Sequence, residues 1–274
     1  MRLGTVLAAI AATCTFALGI AGQAAAWAPA DTAAIRPGVQ TYTGGTNQCT
    51  SNFVFQSGTR VFIGQAAHCA GTGGNTETNG CEAPVMPLGT RVEIEGNDNR
   101  TYNGTLAYSS WHAMKAAGEA RDDLCYGNDF ALVELDATAI SQTNPTVPFW
   151  GGPTGVATTV ATGEKVVSYG NSSLRFGAEP LKPKEGVKTG SGDGGWTHNV
   201  YTATPGVPGD SGSGFLRGPN GEAFGTLSTL EALPRPGSNN VSDLARGMDY
   251  MTSSGFTGVT LVPGTEPFTG PITG

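Results

Sequence analysis

The chain is short of charge. Lys, Arg, Asp and Glu make up 14% of its 274 residues, and acids outnumber bases 22 to 15. A net charge of −7 excludes the basic face that nucleic acid or an anionic membrane requires of a main partner. Long apolar runs are missing from the body of the chain; the one that exists, Leu3 to Ile20, lies at the start. Histidine occurs only three times, and neither a CxxC nor an HxxxH pair is present, so no metal site is expected. There is no internal repeat and no low-complexity block, which excludes a solenoid.

What the chain has in excess is glycine, 42 residues, about twice the ~7% of average usage. The glycines follow no period and separate short apolar runs, the pattern of many short strands with tight connections. Arg2, the uncharged run to Ile20 and the small residues Ala24-Ala25-Ala26 read as a secretory signal. Cleavage is expected after Ala26, with Ala28 and Ala30 as alternatives, giving an extracellular protein with no membrane attachment. Cys14 leaves with the signal. Cys49, Cys69, Cys81 and Cys125 remain, enough for two disulfides in any of three connectivities.

Along the body, residues 27–48 read as a polar arm. Phe53-Val54-Phe55 and Arg60-Val61-Phe62-Ile63 form a hairpin pattern around Gly58. Arg91 to Glu95 alternates as a half-buried strand should, Thr105 to Tyr108 is a further candidate strand, and Asp129 to Leu135 reads as a central one. Trp111 to Arg121 fits a short helix or a loop. Residues 144–153, rich in Pro and Gly, read as a linker. Beyond it, strands are expected near Val156–Ala161, Lys165–Tyr169, Gly186–Thr189, Val200–Ala203, Ser213–Arg217, Ala223–Thr229 and Asn240–Leu244, then a helix over residues 245–253.

Three motifs carry chemistry. Gly209-Asp210-Ser211-Gly212-Ser213-Gly214 places a serine between glycines that let the backbone turn sharply. In such a loop the Gly209 and Ser211 amides suit a carbonyl oxygen that becomes negative during acyl transfer. Serine needs a base and a group to orient it. Ala66-Ala67-His68-Cys69 supplies a histidine, and Asn128-Asp129-Phe130-Ala131 an aspartate at the head of an apolar run. Asp122 and Asp123 rival Asp129 but lack the apolar strand after them. His112 and His198 stand in no comparable motif.

In this order, histidine, aspartate, serine, the chain resembles the chymotrypsin-like serine endopeptidases over residues 45–250. Ser213-Gly214 stands where that family usually has Gly-Pro, which is similar to its secreted bacterial members, the glutamyl-endopeptidase type included. The resemblance implies an all-β fold of two packed antiparallel Greek-key barrels with a short helix near the C-terminus. Residues 1–26 would be the signal, 27–150 the arm and first barrel, and 151–274 the second barrel and a C-terminal extension. It implies Ser211 as nucleophile, His68 as base, Asp129 as its partner and the Gly209 and Ser211 amides as oxyanion hole. Ser228 would support Asp129. Asp210 would need a cation, with Arg175 or Arg246 at hand because Ile35-Arg36-Pro37-Gly38 makes a poor activation site. The resemblance also implies a Cys49–Cys69 bridge, and with it Cys81–Cys125.

No metal or organic cofactor is needed, the partner is a polypeptide substrate, and a monomer is expected. The resemblance places the first specificity pocket at Thr204–Pro208 and Leu227–Leu230. Neither stretch contains an acid or a histidine, which points away from Lys, Arg or Glu and towards a small or apolar residue on the acyl side of the cleaved bond (P1). A non-catalytic binding protein on the same fold and a hydrolase of non-peptide esters are the alternatives.

Overall fold

The Gly58-Thr59 turn shows how local chemistry sets the first sheet. In the computed structural model, which describes residues 27–73, 77–231 and 236–273, Ser57 pairs with Arg60 across these two residues. Gly58 takes φ +60°, a left-handed conformation that glycine adopts at no steric cost. The proposed signal segment lies outside the described residues.

The first unit contains β1 (Gln40–Thr43), β2 (Asn47–Thr50), β3 (Val54–Ser57), β4 (Arg60–Gln65), β5 (Arg91–Glu95), β6 (Thr101–Ser109) and β7 (Ala131–Leu135). Two short helices, α1 (Ser110–Ala117) and α2 (Asp122–Gly127), separate β6 from β7, and α3 (Ala137–Ile140) follows. The second unit contains β8 (Lys165–Tyr169), β9 (Pro183–Gly192), β10 (Thr197–Thr202), β11 (Gly214–Arg217), β12 (Ala223–Leu230) and β13 (Asn239–Asp243). These six strands close into an antiparallel barrel in the order β10-β13-β12-β11-β8-β9. Then come α4 (Leu244–Ser253) and β14 (Thr260–Leu261).

The chain beyond α4 returns to the first unit. There β14 pairs with β3, completing an eight-stranded sheet in the order β14-β3-β4-β7-β6-β5-β1-β2. Alternation along β5 buries Val92 and Ile94 and leaves Arg91 and Glu95 exposed, as a strand with one face on a core requires. Val54, Ile63, Leu106 and Val133 fill the interior of the first unit, and Val166, Val200, Phe215 and Phe224 that of the barrel. A third cluster, containing Phe53, Phe55, Phe130, Trp150 and Leu216, draws on both units. The cleft therefore lies between two sheets held by shared aromatic packing.

Two expectations differ from the structure. Residues 27–48 are not merely an arm, because β1 pairs with β5 and carries the first sheet to β2. Thr41 and Thr43 point their β-branched side chains inward, where Thr41 donates to Gln65 Oε1 at 2.8 Å and Thr43 accepts from Gln65 Nε2 at 3.0 Å. A buried polar ladder thus does what an apolar pattern would have announced. Val156–Ala161 forms no strand; one bridge, Val156 to Ala223, is its whole ladder pairing. α4 begins at Leu244, where Asp243 caps the Arg246 amide.

Candidate active site in the cleft between the units

His68 sits on a single 3-10 turn, Ala67–Ala70, directly after β4. The Cys49–Cys69 disulfide ties this turn to β2, and Cys81–Cys125 ties the following loop to α2. Asp129 precedes β7 and is almost fully buried. Its Oδ2 lies 2.7 Å from His68 Nδ1, and its Oδ1 accepts from the His68 backbone N–H at 2.9 Å. One carboxylate thus fixes both the ring and the backbone that carries it. Ser228 Oγ donates to the same Oδ2 at 2.6 Å, and Ser242 Oγ accepts from Asp129 N–H at 3.1 Å.

A bulge aims Ser228. Leu227 pairs with Val241 but Thr229 with Asn240, so Ser228 is the extra residue in β12. Bulges turn a side chain out of its regular alternation, and here the turned side chain meets Asp129. Burial by itself disfavours charge on both partners. For His68 the Asp129 charge and hydrogen bond outweigh burial, and the imidazole titrates above its ordinary value. For Asp129 the His68 charge, with hydrogen bonds from His68 and Ser228, holds the carboxyl below its ordinary value against burial. An ionised carboxylate against a readily protonated ring is an arrangement that takes up a proton on the far nitrogen.

Ser211 opens onto the same cleft of about 700 Å³, which His68, Gly209, Ser228 and Leu230 also line. Among the described residues Ser211 Oγ makes no hydrogen bond; such links are often long in a free site and tighten when substrate binds. The turn around it requires its glycines. Gly209 and Gly212 have φ +94° and +92°, and an added Cβ would fall 2.5 Å from Gln48 Oε1 and from Thr50 O respectively. The Asp210 and Gly212 amides are spent on Val207 O and Leu227 O. Among the described residues the Gly209 and Ser211 amides have no acceptor, and both belong to the cleft wall. Two unspent donors beside a serine hydroxyl are what a developing oxyanion needs.

Thr50, which no motif signals, holds this loop from the first unit. Its N–H donates to Ser211 O at 2.7 Å and its Oγ1 to Gly209 O at 2.7 Å. Both carbonyls are thereby occupied, while among the described residues the amides of the same two residues have no acceptor.

Asp210 is fully buried, and of its two expected partners only Arg175 reaches it, at 3.4 Å. Arg246 lies elsewhere, over Trp196 and hydrogen-bonded to Gly194 O. The principal cation is Lys184, whose Nζ lies 3.0 Å from Asp210 Oδ2. Ser172 and Val207 add backbone N–H donors at 3.0 and 3.1 Å. Burial pulls the Lys184 ammonium below its ordinary value, with Asp210 opposing. The remaining histidines have other work: His112 Nε2 lies 2.7 Å from Met86 O, and His198 Nε2 lies 2.9 Å from Asp243 Oδ2. Asp122 and Asp123 open α2 and do not contact His68.

No protein-family model matches the chain, and no curated protein sequence does. Solved structures do match. Protease A of Thermobifida fusca superposes with TM-score 0.52 at 19% identity over 84% of this chain and 100% of its own. A glutamic-acid-specific serine protease gives TM-score 0.50 at 16% identity, over 83% and 100% of the two chains. The thermostable serine protease AL20, from an extremophilic microorganism, gives 0.50 at 15% over 84% and 100%. The molecule therefore has the two-unit β fold of chymotrypsin-like serine proteases.

Proposed function

We propose that the protein is a secreted serine endopeptidase. Ser211 Oγ attacks the scissile carbonyl while His68 Nε2 takes its proton, and Asp129 stabilises the imidazolium that results. The Gly209 and Ser211 amides hold the oxyanion. His68 then returns the proton to the leaving amine, and an acyl-enzyme on Ser211 is hydrolysed by water that His68 activates. No metal or organic cofactor enters, and the partner is a polypeptide.

The observation that carries this reading is the Asp129 carboxylate, which grips His68 through ring and backbone while Ser228 donates to the oxygen that faces the ring. A purely structural histidine has no need of that double fixation beside a cleft with a serine and two unspent amides. The glutamic-acid-specific neighbour is described as using a histidine triad in substrate binding. Here the expected pocket walls, Thr204–Pro208 and Leu227–Leu230, carry no histidine and no acid, which favours a small or apolar P1 side chain. The two disulfides fit an oxidising, extracellular setting.

A fluorophosphonate probe tests the assignment. The folded protein is expected to be labelled at Ser211, with labelling abolished in His68→Ala. Folded wild-type protein that stays unlabelled defeats the enzyme reading and leaves a binding protein on the same fold. Turnover of a peptide library against simple esters separates an endopeptidase from an esterase.

A further inference from the structure

Asn239 stands where the two walls of the pocket approach each other. It opens β13, lines the cleft and has no exposed surface. Its Oδ1 accepts from Gly206 N–H at 2.7 Å, and its Nδ2 donates to Gly206 O at 3.2 Å and to Thr229 O at 3.3 Å. One side-chain amide therefore pairs with both polar groups of a residue on the first wall and spans to a carbonyl on the second. Gly206 in turn is packed closely between Leu227 and Asn239. A Cβ at Gly206 would fall 2.9 and 3.0 Å from the two Leu227 methyls and 3.1 Å from Asn239 Nδ2. Nearer the opening, Val207 is half-buried and Pro208 and Leu230 are exposed.

We infer that Asn239 is the specificity-determining residue of this cleft, a strut that closes the pocket floor and admits only a small uncharged P1 side chain. This rests on the peptidase reading above. Two features of the amide carry it. Its position between the walls takes the depth that a leucine or phenylalanine side chain needs. Its two N–H donors are both committed to backbone carbonyls, so the floor has none to offer a P1 carboxylate. The assignment of oxygen and nitrogen follows from the partners, since Gly206 N–H can only donate and the two carbonyls can only accept. Glutamate at P1 is thereby disfavoured on the same ground as bulk.

The test is a P1 series of otherwise identical peptides, carrying Ala, Leu, Phe or Glu, cleaved by wild type, Asn239→Ala and Asn239→Ser. The serine variant retains a hydrogen-bonding group should the alanine variant fail to fold, and labelling by the fluorophosphonate probe reports which variants are intact. Wild type is expected to prefer Ala, with Glu not cleaved. In either intact variant the kcat/KM ratio of Leu or Phe to Ala should rise by about tenfold or more, the scale of discrimination by pocket volume. Wild type that cleaves Phe or Glu as well as Ala overturns the inference. So do intact variants, labelled normally, whose P1 profile is unchanged. Wild type that is folded but unlabelled instead overturns the peptidase reading on which the inference stands.

Discussion

Lys184 Nζ and Asp210 Oδ2 meet at 3.0 Å with neither side chain exposed. The carboxylate next to the proposed nucleophile is thus neutralised by a lysine from β9, with Arg175 at 3.4 Å as second cation. The loop that carries Ser211 is held here by Lys184 and Arg175 through Asp210 and by Thr50 of the first unit. Lys184→Met removes the nearer cation of a buried pair. With Arg175 and two backbone N–H donors left on the carboxylate, the loss should stay at or below the roughly 3–5 kcal/mol of a pair broken outright. Urea unfolding is expected to show that loss, and the rate of fluorophosphonate labelling should fall with it. Unchanged unfolding and labelling would show that Arg175 and the backbone donors suffice.

The His68–Asp129 pair makes activity and stability respond oppositely to pH. In the proposed mechanism His68 acts as the neutral base, and its folded pKa is raised above 6.5, so kcat/KM should fall on acidification with its midpoint above that value. Stability runs otherwise. The raised histidine contributes fully below 6.5 and loses its contribution as pH rises through the folded value. The depressed Asp129 contributes above 3.8 and loses its contribution as pH falls through its folded value. The pair therefore stabilises most in mild acid, where turnover is already falling. Asp129→Asn should lower the kinetic midpoint and reduce kcat by about 10⁴. A midpoint unmoved in that variant would mean another group sets the acid limb.

Thr50 is a positioning residue for the oxyanion loop. Thr50→Val keeps the shape and loses the hydroxyl that donates to Gly209 O and accepts from Asn171 N–H. Of the two bonds lost, the one to Gly209 O bears on the loop, and about 1 kcal/mol for it corresponds to a fall in kcat of roughly fivefold to tenfold. KM should stay near its wild-type value, because the oxyanion exists only in the transition state, and Thr50→Ser should recover the rate. A rise in KM without change in kcat would place Thr50 in ground-state binding instead.

The parts of this architecture that were legible from sequence are those whose signal is local. The β3–β4 hairpin announces itself through two apolar β-prone runs around Gly58. His68, Asp129 and Ser211 each stand in a short recognisable context, and Ser228 follows from the resemblance of Thr226-Leu227-Ser228 alone. Lys184 was illegible because Lys182-Pro183-Lys184-Glu185 reads as a solvated stretch, and only barrel closure turns its second lysine inward. Asn239 and Thr50 were missed for a related reason. Their importance lies in backbone groups of distant residues, at separations of 33 and 159 positions, which no local pattern encodes. Val156–Ala161 failed in the other direction: its β-branched residues suit a strand, but the barrel offers Val156 a single bridging partner.

The chain after α4 closes the first sheet from the far end of the sequence. β14 pairs with β3, Val262 N–H donates to Val54 O at 2.9 Å, and Val259 and Val262 are largely buried. Gly264 N–H reaches Pro153 O, and Thr269 N–H reaches Trp150 O, both at 2.8 Å, so the same segment straps the linker between the units. Ending the chain at Gly255 removes Val259 and Val262, each worth about 1.5–3 kcal/mol when fully buried, uncovers the apolar surface they pack on, and leaves β3 as an open edge that invites pairing between chains. The truncated protein is expected to melt at lower temperature and to associate in a concentration-dependent way on size-exclusion chromatography. If it melted like the full chain and stayed monodisperse, the strap would be dispensable, and β3 would have to be protected by its own neighbours.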